Sequence, residues 1–336
     1  MSDPQPFASI FIVGGGAWGT ALAQLCSVNG TKTTIWARED DVVATINGKH
    51  ENTSFLPNVP LAQNLSATPN LSDCADTDAI LFVSPAQYAR AVLSELKCFA
   101  PTNVPVALCC KGIEQKTGML MTETLTEVWP QARAAVLSGP SFARDVARGL
   151  PTAVTLACAD EALGRRWAAT VGATHFRPYL STDLVGAELG GAIKNVLAIA
   201  AGVVEGRGFG ESARAALIAR GFAEFQRLGV ALGAHPQTMA GLSGLGDLIL
   251  TASSIQSRNM SLGVEVGKGR SLKDVLEERN TVSEGVASAS AVAALATKAG
   301  VEMPICAAVS ALVDGGKSVD QIITDLLARP IKTEIK

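Results

Sequence analysis

The chain has 336 residues, 31 Asp and Glu against 28 Lys and Arg, a formal net charge of -3, and 48% hydrophobic residues. At this length a single core stops growing, so two domains are expected, and the low charged share of 18% excludes a disordered chain. Near-neutral charge without a basic run argues against a nucleic-acid partner, because that affinity comes from many Lys and Arg neutralising phosphates.

No basic residue precedes the first apolar run, Ser9 to Val13, which enters a glycine cluster in the manner of a strand end and not of a signal peptide. No uninterrupted apolar stretch approaches the roughly 18 residues that cross a bilayer. The 7 cysteines are odd in number, lack C-x-x-C spacing and mostly sit in apolar segments. A reduced, cytoplasmic chain without a membrane partner is therefore expected. The 3 histidines have no paired spacing, so no metal is expected.

In chain order, Ser9–Val13 reads as a strand buried on both faces. Glycines follow, then a helical pattern from Trp18 that ends where Gly30 suits a C-cap. Further strands are expected at Thr33–Trp36, Ala79–Val83, Val104–Cys109, Ala134–Leu137 and Thr152–Ala157. Strands alternating with helices imply a mostly parallel sheet with right-handed crossovers. From about Gly186 the pattern is helical. Helices are expected at 188–204, 212–232, 271–279, 283–299, 304–313 and 318–328, with Pro304 in a first turn and Ser318 and Gln321 at capping-box spacing. The expectation is an α/β domain over 1–185 and an all-α domain over 186–330.

Gly14-Gly-Gly16-Ala-Trp-Gly19 is a G-x-G-x-x-G between a strand and a helix. Gly14 suits the tight turn, Gly16 lets backbone approach a pyrophosphate, and Gly19 lets helix and strand pack closely. The helix N-terminus offers N–H groups and positive dipole to phosphates. An acidic residue on the ribose would come about twenty residues on, where the chain has Arg38-Glu39. Arg38 suits adenine stacking or a 2′-phosphate and points to NADP or dual use, while Glu39 keeps NAD open.

Lys111 follows a buried strand and so falls at the sheet edge where ligands bind in such folds; a solvated turn lysine is the plain alternative. Lys194 and Asn195 interrupt the apolar helix Gly190-Gly-Ala-Ile-Lys-Asn-Val-Leu-Ala198. A lysine there should meet a cleft or a carboxylate, or else snorkel to water. Asp247, at a glycine-rich helix start, could be an N-cap or orient a lysine. Ser257-Arg258-Asn259 brings together hydroxyl, guanidinium and amide donors suited to a phosphate, or forms an ordinary polar loop.

GGGAWGTALA, Ser138-Gly-Pro-Ser-Phe-Ala143, GAIKNVLAIAAG, GLGDLILT and the SRN triplet, in that order, resemble the NAD(P)-dependent glycerol-3-phosphate dehydrogenases of the bacterial soluble type. The resemblance covers nearly the whole chain. It implies a Rossmann-like dinucleotide domain with a mostly parallel sheet, an all-α C-terminal substrate and catalytic domain, and a homodimer. It further implies reaction of glycerol 3-phosphate and dihydroxyacetone phosphate with NAD or NADP, in service of phospholipid synthesis. Lys194 matches the family's proton donor and acceptor, with Lys111 the second active-site lysine and Asp247 beside them. Gly139, Ser141, Asn195, Ser257, Arg258 and Asn259 match substrate positions, which Lys111, Lys194 and Asp247 share. Cofactor positions match Gly14, Gly16, Ala17, Trp18, Gly19, Arg38, Tyr88, Lys111, Ala143, Arg258, Val282 and Glu284. One departure is Glu211-Ser212 after Gly208-Phe-Gly210, where the family has Asp-Asn; both pairs can cap a helix. Two other readings use the same features: a related two-domain hydroxy-acid dehydrogenase, and a non-catalytic nicotinamide sensor, which would have no use for the lysines.

Overall fold

The computed structural model describes residues 4–279, 284–330 and Thr333. Its strands are β1 (Ser9–Val13), β2 (Lys32–Trp36), β3 (Leu65–Thr68), β4 (Ala79–Phe82), β5 (Pro105–Leu108), β6 (Arg133–Ser138), β7 (Thr152–Ala157) and β8 (Phe176–Ser181). They form one sheet in the order β3-β2-β1-β4-β5-β6-β7-β8. Pairing is parallel from β3 through β6, β7 runs antiparallel to β6, and β8 is parallel to β7.

The helices of this part are α1 (Ala17–Val28), α2 (Asp40–Lys49), α3 (Ala89–Leu96), α4 (Met121–Val128), α5 (Ala143–Ala147) and α6 (Glu161–Val171). Then come α7 (Leu184–Gly206), α8 (Gly210–Ala231), α9 (Pro236–Ala240), α10 (Asp247–Ala252) and α11 (Arg258–Gly267). The chain ends with α12 (Leu272–Glu277), α13 (Glu284–Lys298), α14 (Pro304–Val313) and α15 (Val319–Leu327).

Alternation along the central strands explains their continuous apolar runs. Ile10 and Ile12 of β1 join the core that includes α1 and α2, whereas Phe11 and Val13 join the core that includes α3 and α4. All four are buried, and each such side chain contributes roughly 1.5–3 kcal/mol of hydrophobic stabilisation. Both outer strands, β3 and β8, escape the expectation from sequence. LSAT and FRPYLS lack an unbroken apolar run because an edge strand is not covered on every side.

Packing divides the chain into two compact units, 1–191 with 233–247, and 192–232 with 248–336. The texture-based border at 185/186 differs from this division for a local reason. Gly190 lies so close to Ser243 that a Cβ would sit 2.0 Å from its carbonyl oxygen, and Asp183 accepts hydrogen bonds from Gly186 N–H and His235 N–H at 2.8 Å each. The start of α7 and the segment around α9 therefore belong to the sheet-bearing unit. By length and composition α7 could cross a membrane, yet 89% of its most apolar window is buried inside the protein.

The helical unit is closed by small residues. A Cβ on Gly202 would lie 2.9 Å from Gly263 Cα, and one on Gly206 would lie 3.0 Å from Gly267 Cα. Two G-x-x-x-G pairs thus form a seam where the α7 and α11 backbones nearly touch. Glu224 of α8, also buried, accepts from Ile305 and Cys306 N–H at 2.8 and 3.1 Å, satisfying the start of α14. Ser318 and Gln321 form the expected capping box. By contrast, Glu211 and Ser212 do not cap α8. The helix begins at Gly210 with Phe209 as N-cap, so both residues lie in its first turn.

Candidate active site

The glycine turn stands at the carboxyl ends of β1, β2 and β4, where the strand order reverses and ligands bind in open α/β sheets. Gly14 donates its N–H to Trp36 O at 3.0 Å. Its φ is +130°, and a Cβ would meet Ser84 N at 3.0 Å. A Cβ on Gly19 would come within 1.9 Å of Gly14 O, so helix and turn pack backbone to backbone. Gly16 is different: no described residue outside the local turn lies within 4 Å of its Cβ position.

Two side chains that sequence reasoning missed hold this turn. Buried Asn52 donates to Gly15 O and to Thr20 Oγ1, each at 2.8 Å, and Thr20 donates to Gly16 O at 2.9 Å. An isolated Asn in a polar stretch carries no sequence signal for such a brace.

A dinucleotide fits here on the evidence of the chain itself. Gly16, the N-cap of α1, makes no side-chain cap, and the first turn of α1 carries no acidic residue. The first N–H groups of α1, which lack intrahelical acceptors, and the open volume over Gly16 form a cradle for a phosphate. Trp18 Nε1 is buried with no hydrogen-bond partner among the described residues. Ala17, Trp18 and Ala143 pack against the core below the turn. Arg38 is exposed just beyond β2, and Tyr88 is 56% exposed.

At the end of β5, Lys111 Nζ lies 2.9 Å from Asp247 Oδ2. Asp247 is 1% exposed, and a carboxylate that deep requires such a partner. This replaces the N-cap alternative. Asp247 opens α10 after a π-helical turn, Leu242–Gly246, in which Gly246 N–H reaches Gly241 O at 3.0 Å. Such turns are frequent at functional sites.

The Lys111 stem runs along Gly191 of α7, where a Cβ would lie 3.2 Å from Lys111 Cγ. Gly139, with φ +156°, lies against Val154, and Ser141 donates to its carbonyl at 3.0 Å. Pro140 of the same turn is 3.7 Å from the Cβ position of Gly246. Lys111, Asp247 and the 139–141 turn therefore converge within the sheet-bearing unit. Ser138 and Ser243 hydroxyls nearby are buried without partners among the described residues. Burial pushes the Cys109 thiol well above its ordinary value, so it is a core group and not a nucleophile.

The helical unit assembles a second set. Lys194 is only 7% exposed, and Asn195 is buried beside it in sequence. Asn195 Nδ2 donates to Glu284 Oε2 at 3.4 Å, and Asn259 Oδ1 accepts from Gly285 N–H at 3.1 Å. Gly285 is wedged between them, since a Cβ there would lie 2.7 Å from both Asn195 O and Asn259 Oδ1. The SRN triplet is the start of α11 and not a loop. Ser257 caps the helix by accepting from Met260 N–H at 3.2 Å, and Arg258 is exposed in its first turn. Val282 lies outside the described residues.

Comparison with known proteins identifies the family of the chain. The family model for the NAD-dependent glycerol-3-phosphate dehydrogenase N-terminus matches residues 9–164, and the model for its C-terminus matches 183–324. The chain is 56% identical over 328 residues to a glycerol-3-phosphate dehydrogenase [NAD(P)+] of Parvibaculum lavamentivorans, covering 98% of each chain. It is also 56% identical to the enzyme of that name from Maricaulis maris, covering 99% of each. A glycerol-3-phosphate dehydrogenase crystal structure from Coxiella burnetii, 36% identical, superposes with a TM-score of 0.92 over 96% of this chain and 99% of that one.

Proposed function

This chain belongs to the NAD-dependent glycerol-3-phosphate dehydrogenase family, and from that premise we propose how its residues carry the reaction. It is an NAD(P)-dependent oxidoreductase interconverting sn-glycerol 3-phosphate and dihydroxyacetone phosphate. When bound, the nicotinamide supplies the hydride to substrate C2 or takes it up.

Lys194 is the acid and base. In ketone reduction its ammonium donates a proton to the oxygen on C2, and in alcohol oxidation the neutral amine accepts that proton. The observation that carries this reading is a lysine only 7% exposed in a helix built mostly of small and apolar residues. Lys111, held on Asp247, presents a fixed cation to the substrate. Gly139 and Ser141 line the same end of the sheet. Asn195, Ser257, Arg258 and Asn259 supply amide, hydroxyl and guanidinium donors suited to a phosphate dianion.

Gly14, Gly16 and Gly19 would hold the cofactor pyrophosphate. Ala17, Trp18, Arg38, Tyr88, Lys111, Ala143, Arg258, Val282 and Glu284 would complete that site. In this reading 1–185 is the dinucleotide-binding domain and 186–330 the substrate and catalytic domain. The chain acts as a cytoplasmic homodimer on a small-molecule substrate, providing glycerol phosphate for phospholipids. A net charge of -3 supports the absence of a nucleic-acid partner, and the burial of α7 in the protein's own core supports the absence of a membrane one.

Steady-state reduction of dihydroxyacetone phosphate by the purified chain, with NADH and NADPH in parallel, tests the assignment. Turnover with at least one cofactor is expected. Cofactor binding with no turnover would favour a sensor, and turnover confined to hydroxy acids would favour a different dehydrogenase.

A further inference from the structure

Before α7 reaches Lys194 it carries another buried charge-bearing group. Glu188 is 8% exposed, and burial pushes its carboxyl up to about 7 against two opposing hydrogen bonds from Thr122. The Thr122 backbone N–H donates to Oε1 at 2.8 Å and its hydroxyl to Oε2 at 2.6 Å. Thr122 is in the first turn of α4, where N–H groups lack intrahelical acceptors and the helix dipole is positive. A carboxyl with two acceptor oxygens matches those two donors. Glu123 Oε2 accepts from a different donor, Leu120 N–H, at 2.8 Å, so Glu188 ties this turn to α7 through Thr122.

The position of this contact gives it a use. The segment from Lys111 to Thr122 leaves β5 and enters α4, and α7 touches both of its ends. Gly191 lies against the Lys111 stem, and Glu188, three residues earlier and so on the same helix face, holds Thr122. The middle is clamped from the other side. Gln87 donates to Ile113 O at 2.8 Å and accepts from Gln115 N–H at 3.0 Å, while the Arg90 guanidinium forks onto Glu114 at 2.8 and 2.9 Å.

We propose that Glu188 is a positioning residue for the reaction: by holding the far end of the Lys111 segment to α7, it keeps the Lys111 ammonium in register on Asp247. This inference rests on the reading of Lys111 as an active-site lysine. A side chain of similar size without acceptors would fill the volume but leave the register unset and the Thr122 donors unmet.

The test compares Glu188→Leu, Glu188→Gln, Thr122→Val and Lys111→Ala in the full-length enzyme. The readouts are kcat and KM for dihydroxyacetone phosphate, bound NADPH per chain, and the melting midpoint. Glu188→Leu is expected to lower kcat by about 10- to 100-fold at full NADPH occupancy, as displacement of a catalytic group by about 1 Å does. Glu188→Gln can accept the N–H on its oxygen and donate its amide to the hydroxyl, so it should retain most of kcat. Thr122→Val keeps only the N–H bond and should fall between. Unchanged kcat in Glu188→Leu overturns the proposal, as does a Gln variant as impaired as the Leu variant. If Glu188→Leu does not fold, wild-type kcat in Thr122→Val overturns it. Full turnover in Lys111→Ala would instead sink the site assignment beneath it. Loss in Lys111→Ala without loss in Glu188→Leu sinks only the role of Glu188.

Discussion

The two units use glycine for opposite reasons. In the sheet-bearing unit no described residue outside the local turn comes within 4 Å of the Gly16 Cβ position, whereas in the helical unit a Cβ on Gly263 would lie 2.1 Å from Ile199 O. The protein itself forbids a side chain at Gly263. At Gly16 no described residue outside its own turn does, and there the open space faces the N-terminus of α1 where a phosphate would sit. A missing side chain points to a ligand only where no neighbour needs the room.

Four measurements break or sharpen that contrast. The largest effect is expected at Lys194, in the helix that also supplies Gly202 and Gly206. Lys194→Ala should depress kcat by about 10²- to 10⁴-fold, the usual worth of general acid–base help, while NADPH still binds. Near-normal turnover in the purified variant would show that the helix buries its lysine for structure alone. Next, Gly263→Ala should lower unfolding stability by about 1–3 kcal/mol, as overpacking does, read from the urea midpoint. An unchanged midpoint would mean the seam yields without cost.

Gly16→Ala makes the converse test. Its stability should stay within about 1 kcal/mol, the scale of an N-cap change, while NADPH Kd rises about tenfold or more, equivalent to about 1.4 kcal/mol. Equal losses of stability at Gly16 and Gly263 would erase the distinction between the units.

The fourth measurement concerns pH. The Glu188 carboxyl is raised from its ordinary 4.5 to about 7, chiefly by burial, with like charge on Glu123 adding to the shift. Between those values the folded chain holds a proton that the unfolded chain has released. The stability of the wild type relative to Glu188→Gln should therefore be full below 4.5 and fall as pH rises through about 7. The total change should be of order 1–3 kcal/mol. A pH-independent difference between the two urea midpoints would contradict this.

Central strands, the nucleotide turn and the long helices were legible because each has a period or a glycine spacing imposed by its own backbone. β3 and β8 were not, since an outer strand need not be apolar throughout and β8 carries Pro178 and Arg177. Of the proposed site residues, Lys111, Lys194 and Asp247 are legible as polar residues in apolar or glycine-rich surroundings. Asn52, Thr122 and Glu188 are not, because their importance lies in partners 32 to 66 positions away. The short helices around the π-helical turn were hidden by the same glycines that let their backbones approach Gly190 and Met239.

Since the division between the units falls within α7, and Gly233–Asp247 returns to the sheet, neither half is one uninterrupted stretch of polypeptide. A fragment stopped at residue 191 would end in mid-helix with its last carbonyls unmet and would lack the carboxylate that Lys111 grips. The halves cannot be traded as cassettes with another dehydrogenase by a single crossover. A chimera of this enzyme needs three junctions in the chain, at 191/192, 232/233 and 247/248, made together.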